Sequence, residues 1–147
     1  MNRGTLAFAL SLVLPACAVA AGYPRAVTLP DELPLTRGGV EVQPYAQEEF
    51  IQREKTETLG GKVWLGYLDY RKKWGENKRN ALAGIIHEME KGGWEVLLRD
   101  EPAVPPLATL KHRDKDGTEL WARVEIFDQA RVAVLEPGPP PVRARRK

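Results

Sequence analysis

One stretch of this chain leaves little freedom in how it can fold. Between Asn77 and Gly93, Leu82, Ile85, Ile86 and Met89 recur three and four residues apart, behind an asparagine and ahead of two glycines. That spacing puts all four on one face of a helix over 78–91. Asn77 can cap its start, and a glycine just past its last turn can take the left-handed conformation other residues resist. A lone amphipathic helix must bury its stripe on another apolar surface, so the rest of the chain has to provide one.

The sequence on either side offers strands. Before the helix, 63–70 (VWLGYLDY) is rich in aromatic and branched residues, with Val63, Leu65 and Tyr67 on one face and Trp64, Leu68 and Tyr70 on the other. Directly after it comes 94–98 (WEVLL), and Pro102, Pro105 and Pro106 then enforce a loop. The runs 107–112 and 119–127 are joined across Asp114-Lys115-Asp116-Gly117. An Asp-Gly pair between such runs signals a hairpin in which both turn positions need positive φ. Asp128-Gln129-Ala130 makes another short turn into 131–135. The expected fold is α+β: one antiparallel or mixed sheet, strand-helix-strand and then a three-strand meander, with one amphipathic helix packed on a face.

Organisation along the chain follows from composition. Residues 21–61 are polar and broken by Pro24, Pro30, Pro34 and Pro44, which predicts an extended lead-in with one strand near 40–42. Within it, 47–58 (QEEFIQREKTET) suits a short helix or an edge strand equally, because its periodicity does not decide. The α+β core spans 62–136, and 137–147 (PGPPPVRARRK) reads as a Pro-rich basic tail, disordered or polyproline-like.

Residues 1–20 have the layout of a secretory signal: Arg3 near the start, an apolar run over 6–14, then Pro15 and small residues. The run is about half the roughly 20 residues that a membrane-crossing helix needs. Two processing routes stay open. Ala18-Val19-Ala20 is an A-x-A site that would release a protein starting at Ala21, whereas Leu14-Pro15-Ala16-Cys17 resembles a bacterial lipobox with Cys17 as the lipidated residue. Pro15 departs from the commonest lipobox.

Roughly 125 residues remain after export, the size of one domain. The formal charge is +2, and Arg143, Arg145, Arg146 and Lys147 carry four positives in the tail, so the folded part is slightly acidic. This gives no electrostatic footprint for nucleic acid.

The chemistry-bearing residues are few. Cys17 is the single cysteine, and Ser11, the single serine, lies in the signal, so no thiol or serine nucleophile is expected in the exported protein. His87 and His112 have no partners at metal-ligand spacing. Glu48 with Glu49, and Asp114 with Asp116, are paired acids without a visible cleft, and the second pair reads as turn chemistry. No catalytic residue, cofactor or metal site is expected. Trp64, Trp94 and Trp121 are read as core between sheet and helix. Trp74, in the charged turn RKKWGENK, is the candidate partner-binding residue, with Arg71, Lys72 and Lys73 beside it for an anionic surface.

The segments Glu90-Lys91-Gly92-Gly93-Trp94-Glu95-Val96-Leu97, Asp116-Gly117-Thr118-Glu119-Leu120-Trp121 and Val132-Ala133-Val134-Leu135-Glu136 together resemble the N-terminal periplasmic region of OmpA-family outer-membrane-associated proteins. The resemblance covers about 23–136, with its motifs in 81–136, and implies an envelope protein that is not an enzyme. The family's peptidoglycan-binding C-terminal domain has no counterpart here, so its ligand residues carry over to none in this sequence. The expected function is therefore a non-catalytic binding or assembly module of the bacterial periplasm, soluble or an outer-membrane lipoprotein through Cys17. Its partner would be an envelope protein or glycan, with membrane contact only through a lipid anchor or an anionic surface. A stub of a truncated wall-anchored protein, or a hydrolase of envelope polymers using acidic residues, are the alternatives.

Overall fold

The computed structural model describes residues 22–31 and 33–142. The expected signal over 1–20, with Cys17, and the basic tail end 143–147 lie outside the described residues. The chain forms β1 (Leu35–Ile51), β2 (Thr56–Leu68), a one-turn helix α1 (Arg71–Trp74), α2 (Lys78–Lys91), then β3 (Glu95–Asp100), β4 (Leu107–Arg113), β5 (Glu119–Ile126) and β6 (Ala130–Pro137). All six strands join one antiparallel sheet in the order β1-β2-β6-β5-β4-β3.

This corrects the expected α+β, strand-helix-strand architecture. Half of the described residues are strand and 15% helix, so the molecule is a small β-rich fold. The strands flanking the helices are not neighbours, because β6, β5 and β4 lie between β2 and β3. Short loops make β3 to β6 a stepwise meander, and its last strand, β6, takes the edge of β2. Four strand spacings of about 4.8 Å amount to about 19 Å, which the 14 residues of α2, at about 1.5 Å each, are long enough to cross.

The helix itself forms as its spacing requires. The Asn77 side chain accepts from the Asn80 N–H at 3.0 Å, and Ala81, Leu82, Ile85, Ile86 and Met89 are buried. Gly93, at φ 95°, turns the chain out of the helix. The Asp114–Gly117 hairpin differs in detail from expectation, since only Gly117 has positive φ and its N–H bonds to the Asp114 carbonyl. A longer turn closed by one left-handed glycine is the three-residue alternative to the two-residue loop.

Residues 21–61 supply far more structure than an extended lead-in. Tyr23, Val27 and Leu29 are buried with the α2 stripe, and the Thr28 hydroxyl donates to the Glu88 carbonyl at 2.7 Å. β1 is an edge strand of 17 residues, bulged between Thr36 and Glu41 and again between Gln43 and Ala46. Such irregularity, with Pro44 inside it, suits an unpaired edge and erases the two-residue alternation by which a strand is recognised.

The two sheet faces are both covered. Trp64, Leu68, Val124, Ile126 and Val132 on the first share one apolar cluster with the α2 stripe and the N-terminal segment. Over the second curls the far end of the β1–β2 hairpin, where Phe50 packs on Trp121 with ring centroids 5.4 Å apart, against Val63 and Leu135. Trp64 and Trp94 therefore lie on the helix side as expected, but Trp121 belongs to the opposite face. Thr109 anchors the curl by donating its hydroxyl to the Ile51 carbonyl at 2.6 Å, and Arg123 donates to the Glu49 carbonyl at 2.7 Å.

Candidate functional site

The residues singled out in the sequence do not gather into one surface. The Asp69 carboxylate accepts from the Arg71 N–H and starts α1, which ends at Trp74. Arg71, Lys72 and Lys73 are exposed, but Arg71 turns toward Asp128, 3.6 Å away, while Trp74 turns the other way, toward α2. The Trp74 ring is half-buried and lies so close over Gly84 that a Cβ there would collide with it. Lys73 sits above this ring, 5.6 Å from its centroid. Trp74 is thus packed against the core, and what remains open beside it is a cavity of about 360 Å³ next to His87 and Lys91.

The remaining acids and His112 take up structural positions, and His87 lines the cavity beside Trp74. His112 lies against Trp94 with ring centroids 5.2 Å apart and planes tilted by 43°, and its buried Nδ1 makes no hydrogen bond although Asp114 is 3.4 Å away. Asp116 accepts from the Thr118 N–H within the hairpin turn, and this bond holds its carboxyl below the usual carboxylate range. Glu48 points inward to Arg131 at 3.0 Å, whereas Glu49 is exposed and offers only its carbonyl. Among the described residues no three His, Cys, Asp or Glu side chains converge as metal ligands, and no helix is long and apolar enough to cross a membrane.

Two concavities that sequence reasoning missed flank the β5–β6 turn and share Phe127 and Asp128. The larger, about 720 Å³, lies between the start of α2 and the 101–106 loop, where a cis bond joins Val104 to Pro105. Ile126, Phe127, Val104 and the two prolines make its walls apolar, and Val104 is 98% exposed. Only the prolines of this loop were visible in the sequence as a signal, and they say nothing of what faces them.

The smaller concavity, about 410 Å³, opens on the second sheet face among Arg37, Tyr67, Glu125, Gln129 and Arg131. Strand alternation brings Arg123, Glu125 and Arg131 to this one face. Arg131 bonds Glu125 and Glu48 at 3.0 Å each, and Arg123 bonds the other oxygen of Glu125 at 3.0 Å. Burial would lower the Arg131 pKa, but the hydrogen bond and charge of Glu48, with Glu125 behind it, raise it above its ordinary value. The four groups cancel in charge and hold one another rigid.

No family model, curated protein or solved structure matches this chain. The chemistry of these cavities therefore rests on their own residues. Of the carboxylates that line them, Glu125 is held by the partly buried Arg123 and Arg131, Glu101 by Arg99 and Asp128 by Arg71, and Glu76 stands at the mouth of the larger cavity. Both have the walls of binding sites: apolar in one, fixed and polar in the other.

Proposed function

We propose that the chain is an exported protein of the bacterial cell envelope, acting in the periplasm as a non-catalytic binding or assembly module. The observation that carries this reading is the signal layout of residues 1–20, followed closely by a residue of the fold. Tyr23, just beyond the Ala18-Val19-Ala20 motif, is buried and donates its hydroxyl to the Val132 carbonyl at 2.7 Å. Attachment through Cys17 is the tethered form of the same reading, and the few residues between Cys17 and Tyr23 would hold the fold close to the membrane. The resemblance of 81–136 to the periplasmic region of OmpA-family proteins points the same way, with an envelope protein or glycan as partner.

The test is a photoreactive amino acid placed at Phe127, which borders both cavities, in cells making the full chain. A discrete adduct with an envelope component, lost when residues 2–20 are deleted, is the expected result. Adducts confined to cytoplasmic proteins would contradict export, and no adduct at all would contradict a binding role for this end of the sheet.

A further inference from the structure

We propose that the 410 Å³ pocket on the second sheet face receives the C-terminal carboxylate of a peptide, with Arg37 as its cation.

The backbone points to Arg37 first. It has φ 57°, the single positive value at a non-glycine among the described residues, and Gly38 and Gly39 follow at 86° and 93°. Left-handed backbone is unfavourable for an arginine, and such outliers concentrate where a side chain is aimed at a task. Here the bulge in β1 carries the guanidinium over the Tyr67 ring, 4.3 Å from its centroid.

Charge singles out the same residue. Arg123 and Arg131 are neutralised by Glu125 and Glu48, whereas Arg37 is exposed and has no carboxylate partner among the described residues. Its cation is held in place by an aromatic face and left available to an anion. Arg131 stands behind it, bonded to two carboxylates.

The third observation is an unmet hydrogen bond. The Gln129 Oε1 is buried and has no partner. The atom is closed to water in this conformation, so a ligand donor meets it only after the Gln129 side chain turns toward the pocket that it lines. A buried polar atom without a partner is costly, and a ligand that supplies one gains by it.

These three features ask for a monoanion with an adjacent donor or acceptor and an apolar part. A peptide terminus has all of them: a carboxylate for Arg37, an amide one residue back for Gln129, and a last side chain for Phe127. The exposed carboxylate of Asp128 at the rim opposes a second negative charge, which disfavours phosphate. The inference goes beyond the envelope reading and does not depend on it, because it is tested on the isolated protein.

The experiment is a nuclear magnetic resonance titration of the purified protein with N-acetyl-alanyl-alanine, its C-terminal carboxamide, and inorganic phosphate. The free acid should shift the Arg37 and Gln129 side-chain resonances saturably, with the carboxamide and phosphate each at least tenfold weaker. Arg37→Gly should bind at least tenfold more weakly while melting at no lower temperature, because glycine accepts the backbone that arginine resists. The proposal is overturned if acid and carboxamide bind alike, if phosphate competes equally, if Arg37→Gly binds as wild type does, or if nothing saturates.

Discussion

At the scale of single residues, Trp74 shows how a surface candidate becomes a packing residue. Its neighbours are charged, which made it look solvent-facing, yet Gly84 leaves a gap in α2 into which the ring fits. Gly to Ala inside a helix ordinarily stabilises by up to about 1 kcal/mol. Here Gly84→Ala should instead destabilise and red-shift tryptophan emission, since the ring must leave; a blue shift with higher stability would contradict the packing. Trp74→Ala should cost about 1–2 kcal/mol in denaturant unfolding. Nothing in the sequence said that Trp74 and Gly84 would meet, because they lie on two helices whose crossing is set by the sheet below.

Tyr23 supports a pH prediction. Burial raises its pKa well above the ordinary value of 10.0, outweighing the lowering by its hydrogen bonding and by Arg131, and burial raises Tyr70 in the same direction. The unfolded chain therefore loses these protons near pH 10 while the folded chain keeps them. Stability should be fully present below pH 10 and fall as pH rises from there toward the folded values. Tyr23→Phe should flatten that alkaline decline when unfolding is followed by circular dichroism at pH 8 to 11; an unchanged slope would mean that Tyr23 is not buried as described.

At the scale of elements, the helix and the meander were legible and the first hairpin was not. The α2 stripe keeps its period over all of 78–91, and β3 to β6 are bounded by prolines and an Asp-Gly turn. In β1 two bulges shift the pairing register, so its apolar residues never alternate cleanly. Gly60-Gly61, which read in the sequence as a turn, lies inside β2. A Cβ at Gly61 would collide with the Glu136 carbonyl across the ladder, and one at Gly60 with the Tyr45 hydroxyl, where the hairpin bends over the second face. Gly61→Ala should therefore separate β2 from β6 and cost about 2 kcal/mol or more. Phe50→Ala should cost about 3–5 kcal/mol and expose the Ile51 and Thr109 region to hydrogen exchange first. A loss confined to the helix side would contradict the curl of the hairpin.

At the scale of the whole molecule, the α+β expectation failed because sequence adjacency suggested spatial adjacency. β2 and β3 flank the helices in the chain but lie apart in the sheet, and no periodicity encodes strand order. The cavities beside the β5–β6 turn were hidden for the same reason: Arg37, Tyr67 and Gln129 come from two strands and a turn that only the sheet order assembles. The face that carries the ionic group of Glu48, Glu125, Arg123 and Arg131 looked like ordinary surface charge in the sequence, yet each of these side chains is less than one-fifth exposed. Export is the claim on which the proposed role turns, and it rests on the signal layout of residues 1–20. Its direct test is the N-terminal residue of the protein isolated from cells, read by mass spectrometry. The account predicts Ala21, or a lipid-modified Cys17 in the tethered form; a chain retaining Met1 to Ala20 in the cytoplasm would contradict it.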